Sequence, residues 1–386
     1  MTATPFDLSP GTLRRRFPEA FVARPCIYWT DFLLSVTTGW TAFLASGRLD
    51  GALPRGLALG LAVLALYRAV LFIHELTHLR SGAVPGFAAA WNLLAGIPLM
   101  VPSIMYVGSH TDHHKRSAYG TAADPEYAPM AYWSPLRIVG SVLGMLVVPA
   151  ALALRWGLIG PISRLLPPLR PFVVRHLSTL AINPSYRRPE PRGRLARRWY
   201  LEETAAALAF WLAVAALASG ALDPAWVARW YAVGAGVGVL NQLRTLGAHR
   251  YALRGEPVDI ATQLADSWNV EGVPILSALA APVGLRFHGL HHLVPSMPYH
   301  SLGRLHRTLH AELPQGSLYR ETEAPSIGAT LGWLLAAAVR NRRSGARAEA
   351  LRAFRGNPGL SAMRAAAAVG ARSEGRIGPG AGAGAR

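Results

Sequence analysis

HGLHHLVPSMPYH, residues 288–300, sets His288, His291 and His292 at i, i+3 and i+4. On a helix these three imidazoles share one face. Neutral imidazole is a good ligand for first-row transition metals. The same spacing recurs upstream in HTDHH, with His110, His113 and His114, while HELTH sets His74 and His78 one helical turn apart. Any one of these residues could be an ordinary structural histidine, but eight of them in three short boxes read as a metal-binding set.

The segments around the boxes are apolar. Of 386 residues, 51% are hydrophobic and only 16% charged, below the charged share of an ordinary soluble domain. The apolar residues also come in long blocks, which points to a membrane protein. A net charge of +18 could suggest nucleic acid, but the arginines gather between apolar blocks. That placement fits cytoplasmic loops and anionic headgroups, and no nucleic-acid partner is expected. Cys26 is the only cysteine, which excludes an internal disulfide, a Cys₄ zinc site and a fused cysteine-ligated iron–sulfur domain.

The pattern predicts an all-α polytopic membrane protein. Residues 1–26 are polar, carry Arg14–Arg16, and read as a cytoplasmic N-terminal segment rather than a signal peptide. Four transmembrane helices are expected near 27–47, 56–73, 199–219 and 226–247, the second ending directly at His74. Residues 86–108 are apolar enough for another span. Crossing there would put His110 on the opposite side from His78, and Pro98 and Pro102 interrupt a helix. A horizontal or re-entrant segment keeps the boxes together. The arginine-rich loop that follows 137–173 reads as cytoplasmic, so that stretch must enter and return or lie along the surface. The whole is then a membrane domain, 27–320, with interfacial or re-entrant helices and a cytoplasmic histidine-rich cap. An interfacial helix, 321–343, and a disordered basic tail rich in Ala, Gly and Arg, 344–386, complete it.

Eight imidazoles are too many for one zinc and suit two metals with four or five ligands each. His249 is the candidate ninth. The fourth span runs apolar from 226 to 240 and then turns polar, so His249 emerges at the depth where His74 leaves the second span. The imidazole set alone is open to iron, copper or zinc. Glu75 and Asp112 lie inside boxes and could orient ligand imidazoles or simply be solvated charges. Asp266 and Asn269 could share a helical face beside the site or cap a helix. His176, His306 and His310 suit surface positions better than ligation, and His300 suits a role in shaping the box loop.

HELTH, HTDHH, HGLHH and the trailing PSMPYHSL resemble the three histidine boxes of the membrane fatty acid desaturase/hydroxylase superfamily. NQLRTLGAHRY, 241–251, and DSWN, 266–269, resemble its bacterial members. The resemblance implies a non-haem di-iron centre, O₂ as co-substrate and an acyl chain or membrane lipid as substrate. It carries ligation onto His74, His78, His110, His113, His114, His249, His288, His291 and His292. It also implies a bacterial inner membrane location, a site facing the cytoplasm, and a separate ferredoxin or cytochrome b5-like electron donor. Thr245 departs from the pattern: acyl-CoA desaturases have an Asn at this place that helps hold an iron through water. Desaturation is the favoured reaction on this resemblance, with hydroxylation or ketolation of a lipid or hydrocarbon as the alternative. HELTH also fits the HExxH of a zinc intramembrane protease, but that reading leaves six clustered histidines unexplained. A metal or haem carrier would want ligands spread through the membrane depth rather than at helix ends on one side.

Overall fold

The computed structural model describes residues 8–356. Two helical hairpins form its base. Helix α1, Pro10–Arg16, precedes α2, Pro25–Arg48, and α3, Ala52–His78. The tight α2–α3 turn uses Gly51 at φ +86°, a conformation glycine adopts without strain. The short apolar helix α4, Phe87–Gly96, and the one-turn helix α5, His110–His113, follow. Then come the helical run α6, Pro135–Leu165, and the second hairpin, α7, Gly193–Ala218, and α8, Pro224–Leu246. Asp223 caps α8 by accepting from the Ala225 N–H at 2.8 Å, with Pro224 in the first turn.

Small residues set the hairpins close together. A Cβ on Gly39 would lie 2.6 Å from the Leu66 side chain, one on Gly47 2.3 Å from the Trp226 ring, and one on Gly236 2.9 Å from Val63. The Gly47–Trp226 contact brings both hairpin turns to one end of the bundle. The histidine boxes lie at the other end.

Among the described residues, three helices are long and apolar enough to cross a membrane: α3, α6 and α7. The spans expected at 56–73 and 199–219 fall on α3 and α7. The segments expected at 27–47 and 226–247 are helices of 24 and 23 residues, but their polar content keeps them out of that set. Asp31 on α2 accepts from Arg68 Nε of α3 at 2.7 Å, and α8 carries Arg229, Asn241, Gln242 and Arg244. The N-terminal half of α3 presents Leu53, Leu57 and Leu61, which are 74%, 66% and 50% exposed, as a lipid-facing surface.

Residues 87–105 do not cross. The chain breaks from α4 through a π turn into irregular backbone, with Met100 at φ +58°. Indole N–H groups from three helices satisfy its carbonyls. Trp40 donates to Leu94 O at 2.8 Å, Trp230 to Pro98 O at 2.8 Å and Trp156 to Met100 O at 2.9 Å. Irregular backbone at membrane depth survives only when its polar groups are paired in this way.

The partners of α6 trace its path. Ser141 meets Gln242, Met145 meets Gly238 and Pro149 meets Gly234, so it first descends along α8. Gly157 then meets Phe210 and Trp211, Gly160 meets Glu203, and Arg164 meets Tyr200, so it climbs back along α7. The bend coincides with a 3₁₀ turn at Gly144–Val147, Pro149 and a π turn at Arg155–Ile159.

The cap is built from α9, Ile260–Asp266; strand β1, Asn269–Val270; α10, Pro274–Ala280; α11, His288–Leu293; and α12, Tyr299–Glu312. Strand β2, Glu323–Ala324, pairs in parallel with β1. The final helices are α13, Ile327–Arg343, and α14, Ala346–Gly356. The N-terminal segment is part of this cap: Leu13 is fully buried, and Arg16 pairs with Glu312 of α12 at 2.9 Å. Helix α13, expected to lie on the membrane, packs on the cap, with Asn341 Nδ2 donating to Ala131 O at 2.9 Å. Residues 346–356, expected to belong to a disordered tail, are helical because Ala350 and Phe354 find the same apolar cluster. The rest of that tail lies outside the described residues.

Candidate metal centre

Each histidine box folds as the spacing requires. His74 and His78 occupy the last turn of α3, HTDHH makes the single turn α5 with His114 at its end, and HGLHHL is α11. Asn269 fixes α11 in place: its Oδ1 accepts from the Leu290 N–H at 2.9 Å. Gly289 is required there, since a Cβ would lie 2.9 Å from the Asn269 amide. His249 follows the C-terminus of α8 and bridges to Ser267.

The structure brings all nine histidines into two adjoining groups. His74, His78, His110, His114 and His291 form one; His113, His249, His288 and His292 form the other. Within each group the candidate ligand atoms all lie within 4.8 Å of one another. Nε2 faces Nε2 at 3.0 Å between His110 and His114, 3.1 Å between His114 and His291, and 2.9 Å between His249 and His288. The rings of His114 and His292, one from each group, are 4.6 Å apart.

Carboxylates hold several of these rings from behind. His113 Nδ1–H donates to Asp124 at 2.9 Å, and Asp124 also accepts from the Gly120 and Glu126 N–H groups. His110 Nδ1 donates to Glu126 at 2.5 Å, and Tyr106 OH donates to the other oxygen of Glu126 at 2.8 Å. His249 Nδ1–H donates to the Tyr119 hydroxyl oxygen at 2.9 Å, and the Tyr119 O–H donates to Asp266 at 3.0 Å. Each of these bonds fixes the tautomer that turns the Nε2 lone pair toward the group.

The electrostatics match. Burial lowers the pKa of His110, His114, His249, His288, His291 and His292, so these rings stay neutral and able to ligate. His113 differs: burial opposes its charge, but Asp124, Glu126 and Asp266 together outweigh burial and the net direction is up. Burial also pushes Glu126 and Asp266 up to about 7 each.

The residues present fit two metal ions. His74 Nδ1 and Nε2 and His78 Nε2 are buried without a hydrogen-bond partner among the described residues. Ring nitrogens that meet only other ring nitrogens leave buried lone pairs uncompensated, which a shared cation relieves. An all-imidazole set of five and four suits first-row transition metals.

The two acids inside the boxes make different contacts, and Asp112 follows the solvated-charge alternative. Asp112 does not orient a histidine; it pairs with Lys115 at 2.6 Å and accepts from Tyr186 OH at 3.0 Å. On a one-turn helix whose histidines share a face, its side chain points away from that face. Glu75 accepts from Tyr28 OH and from the Tyr299 N–H at 3.2 Å, tying α3 to α2 and to the start of α12. Its nearest approach to His74 Nδ1 is 3.8 Å. Asp124 and Glu126 lay outside every motif, and only their place after the second box hinted at them. His306, expected at a surface, is buried at 3% exposure. Thr245 gives its carbonyl to Tyr251 OH at 2.8 Å.

Membrane-length helices topped by nine convergent imidazoles define a class, membrane proteins with a histidine-rich candidate metal centre. The sequence model of the fatty acid desaturase family matches residues 50–323, and the chain belongs to that family. A ceramide hydroxylase of Caulobacter vibrioides (strain NA1000 / CB15N) is 41% identical over 307 residues, 79% of this chain and 87% of that protein.

Proposed function

We propose that this chain hydroxylates a ceramide-class membrane lipid, using O₂ and a di-iron centre held by the nine histidines. The similarity to the ceramide hydroxylase is the observation that carries this reading, because it extends over 79% of the chain. Desaturation of an acyl chain is the second reading, and the family match favours it. In hydroxylation one oxygen atom of O₂ enters the C–H bond and the other leaves as water, with two electrons and two protons supplied from outside.

Iron bound at the two groups supplies activation of O₂. The protein's own part is positioning and shelter. Asp124, Glu126 and the Tyr119–Asp266 pair hold His113, His110 and His249 in one orientation, while burial keeps water from a strongly oxidising site. The lipid would arrive from the membrane side. A groove of about 340 Å³ between α2, α3 and α10 is lined by Leu34, Leu61, Leu64 and Leu279, with the Asp31–Arg68 pair on its wall. Tyr299 OH donates to Asp31 at 2.8 Å, connecting that groove to the start of α12, the helix after the third box. Electrons would arrive at the opposite face. A cavity of about 320 Å³ reaches His114 and His292 and has Arg14 and Arg116 at its mouth. An acidic ferredoxin or cytochrome b5-like donor in a bacterial cytoplasm would meet that basic rim.

The test is expression with a matched electron donor in a host supplied with ceramide, followed by mass spectrometry of the lipids. Gain of one oxygen atom is expected. Loss of two hydrogens would select the second reading, and unchanged lipids would overturn both.

A further inference from the structure

A third group of side chains shares no residue with the nine-histidine centre: Glu271, His306, His310 and Glu323. Their candidate ligand atoms also lie within 4.8 Å of one another. We infer that this group is a separate binding site for one divalent transition cation of the zinc type, and that the cation clamps the two flanks of the third histidine box.

The backbone brings the four together by two routes. His306 and His310 lie at i and i+4 on α12, the spacing of HELTH, so they share a helix face. Glu271 and Glu323 come from the β1–β2 ladder, which the Glu271 N–H extends by donating to Ala324 O at 2.9 Å. His310 Nδ1 is 2.8 Å from Glu271 Oε1 and 2.8 Å from Glu323 Oε1, and His306 Nε2 is 3.1 Å from Glu271 Oε1. Ligands about 2.0–2.2 Å from a tetrahedral zinc stand roughly 3.3 Å from one another. The spacing resembles that among the imidazoles of the nine-histidine centre.

The groups behind these atoms are arranged as for a metal site. His306 Nδ1 meets Tyr319 OH at 2.8 Å, which leaves Nε2 for the cluster. The Phe287 ring lies 4.6 Å from the His306 ring and limits its rotation. Glu323 turns its second oxygen to Arg320 Nε at 3.1 Å, which leaves Oε1 for the cluster. A network of hydrogen bonds alone is the competing arrangement. It places two anionic oxygens on one nitrogen, and the single N–H of His310 Nδ1 serves one of them well. A divalent cation compensates both carboxylates and uses both imidazoles.

Its place in the fold gives the cation a task. β1 includes Asn269, whose amide holds α11 at Leu290 and donates to Thr322 Oγ1 at 2.8 Å beside β2. α12 begins six residues after the end of α11. The cation would therefore join the strand that caps the third box to the helix that follows it.

Metal analysis of detergent-purified full-length protein, loaded with ferrous iron and equilibrated with zinc, tests this. One zinc per chain is expected in addition to the iron. His306→Ala/His310→Ala should lower zinc by about tenfold or more and leave iron unchanged. Zinc-edge X-ray absorption of the wild type should show nitrogen and oxygen neighbours at about 2.0–2.2 Å, two of them imidazoles. If the double histidine variant fails to accumulate, Glu271→Gln/Glu323→Gln and the wild-type spectrum carry the test. Wild-type protein that takes up no zinc beyond its iron would overturn the inference. So would zinc that displaces iron one for one, or zinc that survives both double variants.

Discussion

At the scale of single residues, the site rests on imidazoles held from behind by acids. His249 is the most informative of the nine because it belongs to no box, yet its Nε2 lies 2.9 Å from that of His288. His249→Ala should lower bound iron and abolish turnover while the protein still inserts. His176→Ala, at an exposed ring stacked on Phe172 in the arginine-rich loop, should change neither; metal analysis and product assay read both. Asp124 gives a graded case. Asp124→Asn keeps an acceptor for His113 without the charge and should lower iron affinity by about 10-fold, and Asp124→Ala by up to about 100-fold. The box histidines were legible in the sequence because helical spacing alone puts i, i+3 and i+4 on one face. The acids were not. Asp124 and Glu126 reach the site across a loop without periodicity, whereas Asp112, inside a box, points the other way.

At the scale of elements, polar groups at membrane depth are paired inside the protein. Three tryptophans serve the carbonyls of the re-entrant stretch, and Glu203 of α7 gathers Arg155 at 3.0 Å, Arg164 at 3.0 Å and Arg170 at 2.7 Å. Glu203 is 1% exposed, and its removal would leave three guanidinium groups without their common acceptor. Glu203→Ala should cost about 3–5 kcal/mol, read as a lower thermal midpoint in detergent or as loss of accumulation. The helices α3 and α7 were legible as apolar blocks of membrane length. The path of α6 was not, because composition shows that a stretch is apolar but not which neighbour each turn meets. Helices α2 and α8 show the converse limit: a helix that pairs its polar residues with partners such as Arg68 need not be strongly apolar. The order of α14 depends on Ala350 and Phe354 meeting a cluster assembled from distant segments, which local composition does not reveal.

At the scale of the whole molecule, both hairpin turns lie at one end of the bundle and the histidine cap at the other, and we propose that the membrane separates them. Cys26 is the only cysteine, so a Cys26→Ser background allows single cysteines to be placed one at a time. Cysteines at Asp50 and Leu222 should react with an impermeant reagent from outside intact cells, and those at Ser117 and Glu190, both exposed, only after lysis. External labelling at Ser117, three residues after the second box, would separate that box from the cytoplasmic side and contradict this arrangement. The central claim is that two ions share nine imidazoles, and iron content of the purified chain tests it most directly. After anaerobic loading with ferrous iron and removal of excess, the account predicts two irons per chain, falling when either His113 or His291 is replaced by Ala. A chain that retains no iron, or whose two irons survive both replacements, would contradict it.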